Sequence, residues 1–138
     1  MPRNLQKSRR KAFEQQGGRC FYCGVAIWET SPFELFESKS ERSGCRHLQC
    51  TAEHLVPRCE GGTGSSENIV AACAHCNHTR HKRKVPPAPK AYREEVRRRV
   101  ARGRWHNAWV FKHGLLPARH DKPQGDRQLA IQGKRPQQ

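Results

Sequence analysis

Cys20-Phe21-Tyr22-Cys23 and Cys73-Ala74-His75-Cys76-Asn77 are the runs whose reading decides the fold, and Glu53-His54-Leu55-Val56-Pro57-Arg58 lies between them. Two thiolates separated by two residues can bind one ion from a tight turn, and two such knuckles complete a tetrahedral site. Cys20, Cys23, Cys73 and Cys76 therefore read as ligands of a Zn2+ ion. A closed four-sulfur site leaves no position for water or substrate, so its role is structural. The need for such a staple is plain in the composition. Only 34% of the 138 residues are apolar, and so small a core gains much of its folding energy from a bound metal.

Working outward, Ser8 to Gln16 reads as a short helix that stops at Gly17-Gly18. Residues 29–44 show no sustained period and read as a loop or insertion. His47 to Val56 reads as a strand, Pro57 to Asn68 as a Gly-, Ser- and Pro-containing loop, and Ile69 to Ala72 as a short buried strand. A basic helical pattern runs from Cys73 to Lys84. Val85-Pro86-Pro87-Ala88-Pro89 cannot continue it. Tyr92, Val96 and Val100 then recur every four residues as the stripe of a helix from Pro89 to about Arg102. Trp105, Ala108 and Trp109 mark a further short helix ended by Gly114. The divisions are a basic N-terminal helix or arm (1–19), a core (20–84), a helical extension (85–117) and a polar tail whose composition predicts disorder (118–138).

The net charge is +15, from 27 Lys and Arg against 12 Asp and Glu, and such an excess attracts polyanions by neutralising phosphates. The basic residues concentrate after the second knuckle. Arg58, Arg80, Lys82, Arg83, Lys84, Arg97, Arg98 and Arg99 are the expected nucleic-acid contacts, and Lys7 to Lys11 form a second basic cluster. No apolar run is long enough to span a membrane. Met1-Pro2-Arg3-Asn4 lacks the apolar stretch of a secretory signal, and paired Cys-x-x-Cys spacing favours metal over disulfides. A cytoplasmic, nucleoid-associated protein is expected. Cys45, Cys50 and Cys59, with His47 nearby, allow a second metal site, but no Cys-x-x-Cys recurs among them, and a small buried hydrophobe is the better reading for at least Cys50.

A carboxylate beside a histidine at a strand end, with an amide oxygen on a facing helix, supports two chemistries. The oxygens of Glu53 and Asn77 suit a hard cation, Mg2+ or Mn2+, and a neutral His54 beside it can deprotonate water. The whole run resembles the HNH nuclease signature in the form with asparagine in third place. The resemblance rests on Cys20-x-x-Cys23, Glu53-His54-x-x-Pro57, Gly61-Gly62, Asn68-Ile69-Val70 and Cys73-x-x-Cys76-Asn77. Asn68 follows His54 by fourteen (68 − 54) and Asn77 follows Asn68 by nine (77 − 68).

The resemblance covers residues 20 to about 82 and implies an α+β fold, the ββα-metal (His-Me finger) core, with extra helices on its C-terminal side. It implies an endonuclease acting on DNA, most simply double-stranded, as a monomer or homodimer. His54 would be the general base, Glu53 and Asn77 the ligands of the catalytic ion, and Asn68 a structural residue bonding across the loop. Two departures stand out. Glu53 fills a position that is usually aspartate, and the stretch from Cys23 to Glu53 is longer than the motif needs. His81, one turn after Asn77, is a candidate extra ligand, whereas His75 and His78 have no expected catalytic role. The rival reading is a non-catalytic, zinc-stabilised nucleic-acid-binding module. It explains the charge and the cysteines but not the placing of Glu53-His54 relative to Asn68 and Asn77.

Overall fold

The structure is a computed structural model that describes residues 1–36 and 45–116. The expected polar tail (118–138) and part of the expected insertion (37–44) lie outside the described residues.

Helix α1 spans Arg3–Gln15 and begins earlier than Ser8, because Leu5, Ser8 and Ala12 recur at helical spacing and form its buried face. The intervening Arg and Lys residues hide that period in the sequence. Gln16, just past its end, is buried and bonds both backbone groups of Ala71. Its Oε1 accepts from the Ala71 N–H at 2.9 Å, and its Nε2 donates to the Ala71 carbonyl at 2.8 Å. The carboxamide thus does for the sheet edge what a neighbouring strand would do.

Strand β1 (Cys50–His54) pairs antiparallel with β2 (Ile69–Cys73), with Cys50 opposite Cys73 and His54 opposite Ile69. β1 is shorter than the expected strand because Cys45–Leu48 curls into a 3-10 turn that buries Cys45 and Leu48. β2 is buried along its whole length. The connection between the strands contains a 3-10 turn at Arg58–Glu60 and then Gly61-Gly62. A Cβ on Gly62 would fall 1.7 Å from the Val56 carbonyl oxygen, so this close approach admits only glycine.

Helix α2 (Ala74–His81) starts directly from β2, with the Cys73 sulfur accepting from the Cys76 N–H as its cap. Helix α3 runs Pro89–Ala101 with Tyr92 and Val96 buried, and α4 covers Ala108–Lys112 with Val110 buried. α1 and α2 each pack on both strands. The core gathers Phe21, Tyr22, Val25, Ile27, Leu48, Leu55, Val70, Tyr92 and Val96 around the four cysteines. This is a mixed helix and two-strand architecture of the ββα kind. No helix among the described residues is long and apolar enough to cross a membrane.

Candidate functional site

Cys20 and Cys23 lie on the turn after α1, while Cys73 ends β2 and Cys76 sits in the first turn of α2. All four are buried, and their sulfurs lie within 4.8 Å of one another, a group that could hold a metal ion. Cys23 Sγ and Cys73 Sγ are 3.9 Å apart. Tetrahedral bonds of about 2.3 Å to Zn2+ require sulfurs about 3.8 Å apart, so the spacing suits that ion. Backbone N–H groups already point at the sulfurs, from Cys73 to Cys20 at 3.2 Å and from Cys76 to Cys73 at 3.3 Å. Burial pushes the Cys23, Cys73 and Cys76 thiols up. Cys20 is equally buried, yet hydrogen bonds from the other three hold it well below its ordinary value. Four buried thiols cannot all ionise side by side unless a cation neutralises them.

Two side chains from the helical extension reach this cluster. Trp105 donates its indole N–H to Cys76 Sγ at 3.3 Å, and His106 Nε2 lies 3.2 Å from Cys23 Sγ. Burial, then the neighbouring His75, lowers His106 to about 4, so its ring is neutral at physiological pH. Cys45 and Cys50 are buried and Cys59 is exposed, and burial raises the Cys50 thiol to about 12. No second cluster of three or more His, Cys, Asp or Glu side chains placed to hold a metal exists among the described residues.

On β1, Thr51 and Glu53 share the face that meets α2, in two rungs. Asn77 Nδ2 donates to Thr51 Oγ1 at 3.0 Å, and one turn along the helix His81 Nε2 lies 2.8 Å from Glu53 Oε1. Glu53 is only 1% exposed. Its Oε2 accepts from the Tyr22 hydroxyl at 3.1 Å and from Arg80 Nη1 at 3.2 Å. Burial and the Glu53 charge push the Tyr22 phenol well up, which keeps that donor protonated. The helix partners of Glu53 are thus His81 and Arg80, while the amide nitrogen of Asn77 is taken by Thr51. By residue type alone, the Asn77 side-chain carbonyl and the Glu53 carboxylate are oxygen donors of the kind that a hard cation takes.

His54 ends β1 half-exposed. Its Nε2 accepts from Arg58 Nε at 3.3 Å. Burial, then the Arg58 charge, holds its pKa below the ordinary imidazole value. Asn68 is buried behind it and clasps the connection. Its Oδ1 accepts from Val56 N–H at 2.8 Å, and its Nδ2 donates to the carbonyls of Val56 at 3.0 Å and Thr63 at 2.8 Å.

Arg80, expected among the nucleic-acid contacts, must be corrected. It is 1% exposed and spends its guanidinium inside the fold, on Glu53 and on the carbonyls of His54, Leu55 and Pro87. A phosphate has no access to it. Arg80 lies four residues after the buried Cys76, on the inward face of α2, a placing that a count of basic residues does not register. The other expected contacts divide. Arg83 and Arg99 share the Glu95 carboxylate, Arg99 lies over the Trp105 ring, and Arg97 Nε donates to the Tyr22 carbonyl. Arg58, Lys82, Lys84 and Arg98 are exposed. Sequence reasoning misses Tyr22, Trp105 and His106 as partners of the site, because nothing in their spacing brings them to it.

Residues 39–83 match the model of the HNH endonuclease family. That segment takes in Glu53, His54, Asn68, Asn77 and the second knuckle, and leaves Cys20 and Cys23 outside it. No curated protein and no solved structure matches the chain.

Proposed function

Taking residues 39–83 as an HNH endonuclease segment, we propose that the protein is a divalent-metal-dependent endonuclease that hydrolyses DNA phosphodiester bonds. The observation that carries this reading is the contrast between adjacent residues. Glu53 is clamped and buried, while His54 is half-exposed with a pKa held below the ordinary value and an Nε2 that accepts a hydrogen bond. A neutral imidazole at the surface, fixed by a rigid strand end, is what a general base for water requires.

In this reading Arg58 leaves His54 Nε2 for the scissile phosphate when DNA binds. The freed Nε2 then takes the proton of the attacking water. Asn68 keeps the strand end and the loop in one geometry throughout. Glu53 and Asn77 would hold the Mg2+ or Mn2+ ion, with His81 beside Glu53 as a further candidate ligand. When bound, that ion supplies neutralisation of the phosphate and of the leaving 3′ oxygen. Cys20, Cys23, Cys73 and Cys76 would hold structural Zn2+ and tie α1 to α2 across the sheet. The products would carry 5′-phosphate and 3′-hydroxyl ends.

One observation favours the rival, a non-catalytic zinc module. Both Glu53 oxygens are already engaged, by Tyr22, Arg80 and His81. The deciding experiment incubates supercoiled plasmid with zinc-loaded protein, with and without added Mg2+ or Mn2+. Cutting that requires the added ion and is lost in His54→Ala supports the enzyme. DNA bound without cutting, whichever ion is added, supports the module.

A further inference from the structure

A cleft of about 560 Å³ opens between the N-terminal half of α1 and the loop that follows Gly62. It is lined by Asn4, Lys7, Ser8 and Lys11 on the helix and by residues 63–66 on the loop. No carboxylate lines it. Lys7 and Lys11 are exposed, and no carboxylate of the described residues forms an ion pair with either. Their spacing of four places them one above the other on one helix face, about 6 Å apart at Cβ, and Arg3 extends the same stripe by another turn. The opposite wall offers hydroxyls, with Thr63 Oγ1 3.1 Å from Ser65 Oγ. Lysine side chains beside hydroxyl and amide groups, with no carboxylate in the lining, are what phosphate oxygens complement, although Lys7 also borders the neighbouring cleft that contains Glu29.

The cleft is also tied to the strand end that carries His54. Ser8 Oγ donates to the Gly64 carbonyl at 2.8 Å and pins the loop to α1. One residue earlier, the Thr63 carbonyl accepts from Asn68 Nδ2, and the same side chain holds Val56, two residues past His54. Helix, loop and strand end are therefore one hydrogen-bonded unit.

We propose that this cleft seats backbone phosphates of the nucleic acid flanking the scissile bond, with Lys7 and Lys11 as the neutralising groups. The inference rests on the nuclease reading for its ligand. It adds contacts on α1, on the N-terminal side, to those open to α3, where Arg97 is spent on the Tyr22 carbonyl while Arg98 and Arg99 are exposed.

The test is binding of a short DNA duplex to the zinc-loaded protein without added divalent ion, measured by fluorescence anisotropy over a range of salt concentrations. The variant Lys7→Gln/Lys11→Gln should bind more weakly, with a salt slope smaller by about 0.9 for each phosphate that is no longer neutralised. Ser65→Glu, which puts a carboxylate at the exposed rim, should weaken binding as well. Arg46→Gln/Lys112→Gln, at exposed positions away from the cleft, should keep most of the wild-type slope. A wild-type slope in the lysine variant overturns the inference, and so does an equal fall in the Arg46/Lys112 control. The readout does not depend on cleavage. DNA bound through Lys7 and Lys11 but never cut would refute the nuclease reading alone, and DNA cut normally with an unchanged slope would refute this inference alone.

Discussion

Arg80 Nη1 lies 3.2 Å from Glu53 Oε2 where both side chains are 1% exposed, and the same guanidinium holds the carbonyls of His54 and Leu55. An ion pair removed from water in this way contributes little net stability, but breaking it strands a charge. Arg80→Ala should therefore destabilise the fold by about 3–5 kcal/mol, read from urea unfolding of the zinc-loaded protein. Arg80→Lys should recover only part of the loss, since one ammonium cannot span Glu53 and three carbonyls. A loss under about 1 kcal/mol, the size of an exposed pair, would contradict the buried clamp.

For His54, the expected outcome joins a mutation to a pH profile. His54→Ala should lower cleavage by about a hundred- to ten-thousand-fold, with DNA affinity and zinc content unchanged. The base must be neutral to accept a proton, so activity falls as pH drops through its pKa. Because burial and Arg58 hold that pKa down, cleavage should persist to lower pH than an ordinary imidazole, with its value of about 6.5, permits. Arg58→Gln removes a nearby positive charge and should move the acid limb upward. An acid limb that stays in place in Arg58→Gln would show that another group titrates.

The two metal sites should separate under mutation. Cys73→Ser removes a ligand from the buried cluster and should release the structural ion and unfold or strongly destabilise the domain. Asn77→Ala loses one hydrogen bond to Thr51, about 0.5–1.5 kcal/mol, and should stay folded, zinc-loaded and inactive. Thermal melts with metal analysis decide this. A well-folded, zinc-free Cys73→Ser protein would remove the metal from the folding argument.

Much of this architecture is legible in the sequence. Cysteine pairs at fixed spacing identify a four-sulfur cluster, since the chemistry of the ligand is local to each knuckle. The continuous apolar run Ile69 to Ala72 gives β2, and the stripe Tyr92, Val96, Val100 gives α3 by its period. What stays hidden depends on contacts between distant residues. Gln16 completing the sheet edge at Ala71, Tyr22 reaching Glu53, and Arg80 turning inward are all satisfied across long sequence separations. A charge count sees Arg80 as one more cation in a basic run, and only burial distinguishes it from Lys82 and Lys84.

The last prediction concerns Trp105 and His106, which lie beyond the matched HNH segment yet touch sulfurs of the four-cysteine cluster. A coordinated thiolate carries negative charge, and N–H donors aimed at it disperse that charge and fix the ligand's orientation. The neutral ring of His106 has its Nε2 against Cys23, and with Cys23 bound to zinc as a thiolate, which can only accept, that Nε2 would carry the proton. Trp105 does the same for Cys76 and covers the cluster with its ring. Trp105→Phe keeps the cover and deletes the donor, and His106→Ala deletes donor and cover together. Each should weaken zinc binding by about 10–100-fold, measured by competition with a chromogenic chelator, and His106→Ala should release the metal faster because water gains access. DNA affinity measured in excess zinc should remain at the wild-type value. Unaltered zinc affinity in both variants would make this contact simple packing of the C-terminal helices. Weakened zinc binding would make residues 105–106 part of the metal centre, and would explain why the extension packs against the second knuckle rather than hanging free.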